Sequence, residues 1–254
     1  MSTSPYKNST LYDAKTISVS AEDINDGPSY AERLLYDRVM LVKRYARGTT
    51  LLDIGCATGE TLRFFDEFTT KIGIDFSQRY LVEANNRSRN TPQKPYFITG
   101  DVTALPLIAE TCDVMYSFST LYYVKNFSET AKSIWLVLRP GGVAILDLGN
   151  IRSLNAICGH YYVKEDGYAE IECPDINTSL TILRNCGFEI LEHRSFQLLP
   201  LWAAKPRWMW PLLHPIWAKI MKIRLGEKMI DEWLSSLPFL RNFAFRHILV
   251  CRKS

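Results

Sequence analysis

An apolar run, Thr50–Ile54, breaks at Gly55 into the small-residue stretch Cys56-Ala57-Thr58-Gly59 and then gives way to a helical pattern. No other feature constrains the fold as much. A strand and a helix joined this tightly belong in an α/β sheet, where small residues let a ligand approach the backbone and the helix start offers unpaired N–H groups. The alternation continues along the chain. Apolar runs at 71–74, 96–99, 114–117, 143–148, 188–193 and 245–251 are separated by helical stretches, and a further helical stretch at 30–45 precedes the turn. Short strands alternating with helices predict a doubly wound, mostly parallel sheet. No linker interrupts the pattern, so one domain over 29–254 is expected, after a flexible segment, 1–28, rich in Ser, Thr, Asn and Asp.

The glycine turn does not carry the dinucleotide fingerprint G-x-G-x-x-G. Counted from Gly55, the third and sixth positions are Ala57 and Glu60, and an acid at the sixth would crowd helix against strand. Asp53 and Glu60 also place negative charge around a turn that would otherwise cradle phosphates. A neutral or cationic ligand is expected rather than a pyrophosphate. Two further acids follow successive strands. Asp75 ends the run at 71–74, where a carboxylate can take both hydroxyls of a ribose, and Asp101 follows 96–99, where it can accept from an adenine amino group. Each acid taken singly is also an ordinary cap or turn residue; three after successive strands argue for a ligand.

Composition narrows the classes. With 47% apolar and 22% charged residues the chain can bury a sizeable core, and a net charge of +3 does not argue for nucleic acid. The six cysteines show no C-x-x-C pair and no metal-like spacing with the four histidines, so no metal site is expected and the thiols suit a reducing compartment. No signal-like stretch opens the sequence and no run is long enough to span a bilayer. A cytoplasmic protein is expected, soluble or at the inner face of the membrane.

The elements DIGCATG, GIDFS, GDVTALPL, CDVMYSFSTLYYV and LRPGG, in this order over 50–148, resemble those of the class I S-adenosylmethionine-dependent methyltransferases. The resemblance is to the small-molecule branch of ubiquinone- and menaquinone-methyltransferase-like proteins. LTILRNCGFEILE and FRHILVCRK look like that family's last helix and closing antiparallel strand pair. The fold implied is a Rossmann-like, seven-stranded, mostly parallel sheet with an antiparallel last strand, plus a helical insert between the last two strands. The cofactor implied is S-adenosylmethionine. Carried over by position, Gly55, Cys56, Ala57 and Gly59 would line its methionine end and Asp53 would orient the amino-acid part. Asp75 with Phe76 would hold the ribose, Asp101 with Val102 the adenine, and Ser117 and Phe118 would border the methyl group. A protein that binds the cofactor without catalysis is the competing class.

Because such a cofactor supplies the electrophile, the protein must orient an acceptor and in some cases remove a proton. The signature tied to methylation of nucleic-acid bases is absent, as SFSTLYY occupies that position. A small-molecule or lipid-linked acceptor is expected, methylated on oxygen of a sugar, lipid or lipid-linked glycan, with nitrogen or carbon of a small molecule or quinone-type lipid as alternatives. His160, Tyr161 and Tyr123 are the candidate catalytic residues, since imidazole titrates near neutral pH. Packing or surface roles compete for all three, and an amine acceptor would need no base. Tyr122 and Tyr162 are candidate substrate contacts. His247 is expected to be a satisfied core residue.

Segment 198–224 holds four tryptophans, five cations and four prolines. It falls in the insert, 197–243, which the sixth strand delivers to the ligand-binding edge of the sheet. Helices are expected after Pro215 and over 227–236. Three readings stay open: an acceptor lid using Trp202, Trp208 and Trp210, a foot on anionic membrane, or plain packing.

Overall fold

In the computed structural model, which describes residues 29–166 and 170–254, β1 (Thr50–Ile54) lies between β2 (Thr70–Asp75) and β4 (Cys112–Ser117). The segment 1–28, expected to be flexible, lies outside the described residues. β3 (Tyr96–Thr99) edges β2, and β5 (Leu138–Leu148) follows β4, with these five strands parallel. β9 (Arg246–Lys253) runs antiparallel between β5 and β6 (Phe188–Phe196). The order is therefore β3-β2-β1-β4-β5-β9-β6, the seven-stranded sheet that was expected. Its order reverses between β1 and β4, and a crevice opens there at the carboxyl ends of the strands.

Every residue of β1 is buried, as a parallel strand covered on both faces requires. On one face α3 (Phe127–Val137) and α5 (Ile176–Asn185) pack Ile134 and Leu183 into a layer with Leu52 and Met115. On the other, α1 (Tyr30–Arg44) packs Leu34 and Val42 with Leu51 and Val114. α1 starts at a capping box: Ser29 accepts from the Glu32 amide while the Glu32 carboxylate accepts from the Ser29 amide. α2 (Gln78–Arg87) follows β2, and α4 (Leu154–Asp166) follows β5.

Two local expectations are corrected. The helix after the glycine turn is a short 3-10 segment, Glu60–Phe64. Gly59 enters it at φ +72°, and a Cβ there would sit 2.7 Å from the Phe97 ring, so the chain is held close to β3. Thr61 then donates back to Asp53 at 2.9 Å, and Glu60 pairs with Arg63 and Arg87, which keeps the turn tight. In the insert, the helix expected over 227–236 begins only at Ile230. Residues 224–229 form a small hairpin, β7 (Arg224–Leu225) with β8 (Lys228–Met229), turning on Gly226 at φ +67°.

The rest of the insert comprises α6 (Trp210–Leu213), α7 (Ile216–Met221) and α8 (Ile230–Ser235). Its underside packs: Met221 and Met229 join the layer under α1, and Met209 and Leu213 cluster with Cys158 of α4. Asp231, fully buried, fastens the insert at its root. Its carboxylate accepts from the amides of Gln197 at 2.6 Å and Leu198 at 3.1 Å, and from the Tyr30 hydroxyl at 2.5 Å. Burial pushes its pKa up, and these donors oppose that shift. Asp231→Ala leaves the three donors buried without an acceptor, a loss of about 3 kcal/mol. The expected outcome is a lowered Tm, with limited proteolysis cutting first within 197–243.

Candidate active site

At the β1/β4 switch point lies a cavity of about 310 Å³. Its floor is the glycine turn, with Gly55 and Ala57; one wall is Asp75, Phe76 and Tyr80, after β2. Gly100 and Val102, after β3, form a second wall, and Phe118, Ser119, Thr120 and Tyr123, after β4, close the remaining side. Each strand thus ends by contributing one wall. Among the described residues Asp75 is the charged side chain of this lining, which includes neither Lys nor Arg. A negative and aromatic cavity suits a cationic or neutral ligand and is unfavourable for a pyrophosphate.

Asp75 also builds the cavity. One carboxylate oxygen accepts from the Ala57 amide at 2.8 Å and the other from the Ser77 amide at 2.9 Å, tying the glycine turn to the end of β2. Gly55 has φ +78°, and a Cβ there would lie 2.2 Å from the Thr120 hydroxyl. Its smallness therefore makes room for the loop after β4 rather than for a ligand.

Asp53 lies below this floor, buried, and does not line the cavity. It accepts from the hydroxyls of Thr61 and Tyr116, each at 2.9 Å. Burial raises its pKa from 3.8 to about 7; the two hydroxyl donors lower it and the Asp75 charge raises it further. With the folded value raised, its contribution to stability is present below the ordinary carboxylate range and is lost as pH rises through about 7. Asp53→Asn keeps an acceptor for both hydroxyls without the charge. Its Tm relative to the wild type is expected to rise between about pH 5 and about pH 8, as followed by calorimetry.

The other sequence-derived residues are placed as follows. Phe118, Val102 and Phe76 line the cavity. The Asp101 carboxylate accepts from the Thr103 amide and hydroxyl, both at 2.8 Å, so it shapes the turn that presents Gly100 and Val102. Ser117 is buried and donates to the Ile54 carbonyl at 2.8 Å, stitching β4 to β1. Cys56 is buried against Gly73, and burial pushes its thiol well up. Gly59 faces a separate hollow of about 710 Å³ behind the turn, which Glu60, Arg63 and Arg87 help to wall.

Among the catalytic candidates Tyr123 borders the cavity, and its ring lies 4.4 Å from that of Tyr122. Tyr122 is buried beside Phe245, and its hydroxyl accepts from Arg246 at 3.3 Å. His160 is exposed on α4 and is not part of the cavity wall, because the helix turns Cys158 rather than His160 into the fold. Tyr161 accepts from the Trp208 indole at 3.4 Å, and Tyr162 accepts from the Ala204 amide at 2.9 Å while packing against Trp202. These two tyrosines therefore bind the insert to α4. Trp202 donates to Asn155 at 2.8 Å, and Trp210 is exposed beside His214. His247 is buried, hydrogen-bonded to His193 at 2.8 Å and to the Ala244 carbonyl at 3.1 Å.

One cluster was not anticipated. Asp147, buried at the end of β5, accepts from Arg38 of α1 at 2.9 Å, from the Ser119 amide at 3.2 Å, and from Arg246 of β9. Both guanidiniums also donate to the Ser119 hydroxyl. Arg38 lies 4.9 Å over the Phe118 ring, so the cluster stands directly behind the wall that Phe118 and Ser119 form. The one sequence signal was an acid inside the apolar run of β5.

Residues 52–146 match the family model described as "Methyltransferase domain". Over these residues the chain is similar to class I methyltransferase domains, and its sheet has the Rossmann-like methyltransferase fold. Domains of this class use S-adenosylmethionine. The chain is 30% identical over 100 residues to a sterol 24-C-methyltransferase of Schizosaccharomyces pombe, spanning 38% of this chain and 26% of that one. It is 24% identical over 122 residues to a malonyl-[acyl-carrier protein] O-methyltransferase of a Marinomonas species, spanning 46% and 45%. It thus spans less than half the length of either relative. The fold is also that of the [4+2]-cyclase SpnF, with a TM-score of 0.59 at 22% identity over 90% of this chain and 84% of that one. A geranyl diphosphate methyltransferase in complex with GPP and sinefungin gives 0.58 at 16% identity, over 87% and 79%.

Proposed function

We propose that the protein is an S-adenosylmethionine-dependent methyltransferase acting on a small or amphiphilic metabolite, by O-methylation of a sugar, lipid or lipid-linked glycan. The observation that carries this reading is the cavity at the switch point, whose charged lining residue is Asp75 and whose other side is aromatic. When bound, the cofactor supplies a methyl group on a sulfonium, and a cavity whose described lining has an acid and neither Lys nor Arg accepts that positive charge. In this reading Asp75 holds the ribose, Gly100 and Val102 flank the adenine, and Asp53 beneath the turn favours the cationic amino-acid end. Tyr123, Phe118 and Ser119 orient the acceptor, and Arg38, Asp147 and Arg246 hold that wall still.

Transfer to a carbon of a lipid is the second reading, supported by the relative named for sterol C-methylation. The cyclase with the same fold shows that this architecture also serves other reactions. Incubation with methyl-labelled cofactor and cell extract, followed by partition between organic and aqueous phases, tests the proposal. Label in a methyl ether formed from a hydroxyl, or in a methyl ester formed from a carboxylate, supports O-methylation, label on carbon supports the second reading, and no transferred label rejects both. Asp75→Ala should weaken cofactor binding at least about tenfold by calorimetry, the loss of a doubly hydrogen-bonded carboxylate. Unchanged affinity would remove Asp75 from the site.

A further inference from the structure

Between β6 and β9 the surface changes character. Eleven of the nineteen exposed large apolar side chains among the described residues lie from Trp202 to Phe243, about a sixth of the chain. Trp208, Trp210, Trp233 and Phe239 are 67%, 53%, 51% and 73% exposed. Their placement is fixed rather than incidental: Trp208 donates to Tyr161, Trp233 donates to the Leu225 carbonyl at 3.1 Å, and Phe239 packs on Phe243. Trp217 differs, being half-buried with its indole donating to the Pro211 carbonyl at 2.8 Å, so it belongs to the packing underside.

Charge on the same segment is one-sided. Residues 197–243 contain seven Lys or Arg and three acids. Asp231 and Glu232 are buried, which leaves Glu227 as the exposed acid, whereas Arg207 and Lys219 are exposed and the Lys228 ammonium sits 5.4 Å over the Trp233 ring. Exposed indoles with interspersed cations and almost no surface carboxylate match the headgroup layer of an anionic bilayer, where Trp partitions favourably and basic residues are attracted. A second copy would bring a like-charged patch against this one, since a two-fold interface pairs a surface with itself.

We propose that 202–243 is a membrane-contact surface for bilayers carrying anionic headgroups. It does not depend on the methyltransferase reading. The insert begins where β6 ends, at the same sheet edge as the cavity, so docking would bring the cavity edge to the lipid.

Sedimentation of the full chain with vesicles tests this. The wild type is expected to sediment with phosphatidylcholine vesicles containing phosphatidylglycerol and far less with phosphatidylcholine alone, with binding weakened by salt. The triple variant Trp208→Ser, Trp210→Ser, Phe239→Ser should bind at least about tenfold less. Arg207→Gln and Lys219→Gln, both at exposed positions, should each weaken binding roughly fivefold. Circular dichroism identifies any variant that fails to fold, and the two charge variants then carry the test. Three results would overturn the proposal: a wild type that stays in the supernatant, variants that sediment like the wild type, or a dimer in solution that the triple variant abolishes.

Discussion

Two backbone amides, those of Ala57 and Ser77, converge on the carboxylate of Asp75 at 2.8 and 2.9 Å, and the cavity owes its shape to that convergence. Together with the Gly55 and Cys56 amides, which donate to the Ile74 carbonyl at 2.7 and 3.0 Å, it fixes the glycine turn against β2 and sets the floor beside the wall formed by Phe76 and Tyr80. Charge-assisted bonds of this type are roughly twice as strong as neutral ones, so a buried acid can set backbone geometry while its charge remains available to define the site. Asp53, one layer below, has the opposite situation. Its partners are two hydroxyls, and burial raises its pKa to about 7. The two acids are close enough in effect for each charge to disfavour the other, so a cationic ligand above them would relieve both.

A second set of buried charges governs how the surrounding elements are attached. Asp147 joins α1, β5 and β9 through Arg38 and Arg246, and Asp231 joins α1 to the insert through Tyr30. α1 is therefore held at its first residue and at its middle by polar contacts as well as by packing. Removing one partner from such a cluster is costly, because the remaining buried charge has lost its compensation. That cost ties the position of α1 to the cavity wall after β4, since Arg38 touches both Ser119 and Phe118.

The sheet was legible because each strand is a short apolar run and each acid of the site follows one. Thr50–Ile54 and Tyr96–Thr99 have the same bounds in sequence and structure, the next four runs are extended by a few residues, and the last is shifted from 245–251 to Arg246–Lys253. Side-chain direction was not legible. Ser117 and Phe118 are adjacent, yet one bonds inward to Ile54 and the other faces the cavity, a difference set by where β4 ends. His160 had the right chemistry and the right distance along the chain, but the phase of α4 carries it to the surface. Asp147 was invisible as a site because its partners lie 109 and 99 residues away. Within the insert, composition predicted a special role without separating Trp217, which packs, from Trp208, which does not.

The place of β9 has a consequence for how the chain assembles. β6 enters the sheet only through β9, which pairs with it along its length and separates it from β5. Among the five parallel strands every pairing but that of β1 with β4 joins neighbours in sequence, whereas β6 must wait for a strand that begins fifty residues after it ends. Such non-local pairing is slow, and until it occurs β5 presents an unpaired edge while the insert's aromatic side chains have no completed sheet to anchor them. The interval between translation of β6 and arrival of β9 is therefore the period of greatest risk for aggregation, and the surface most exposed during it is the one rich in tryptophan.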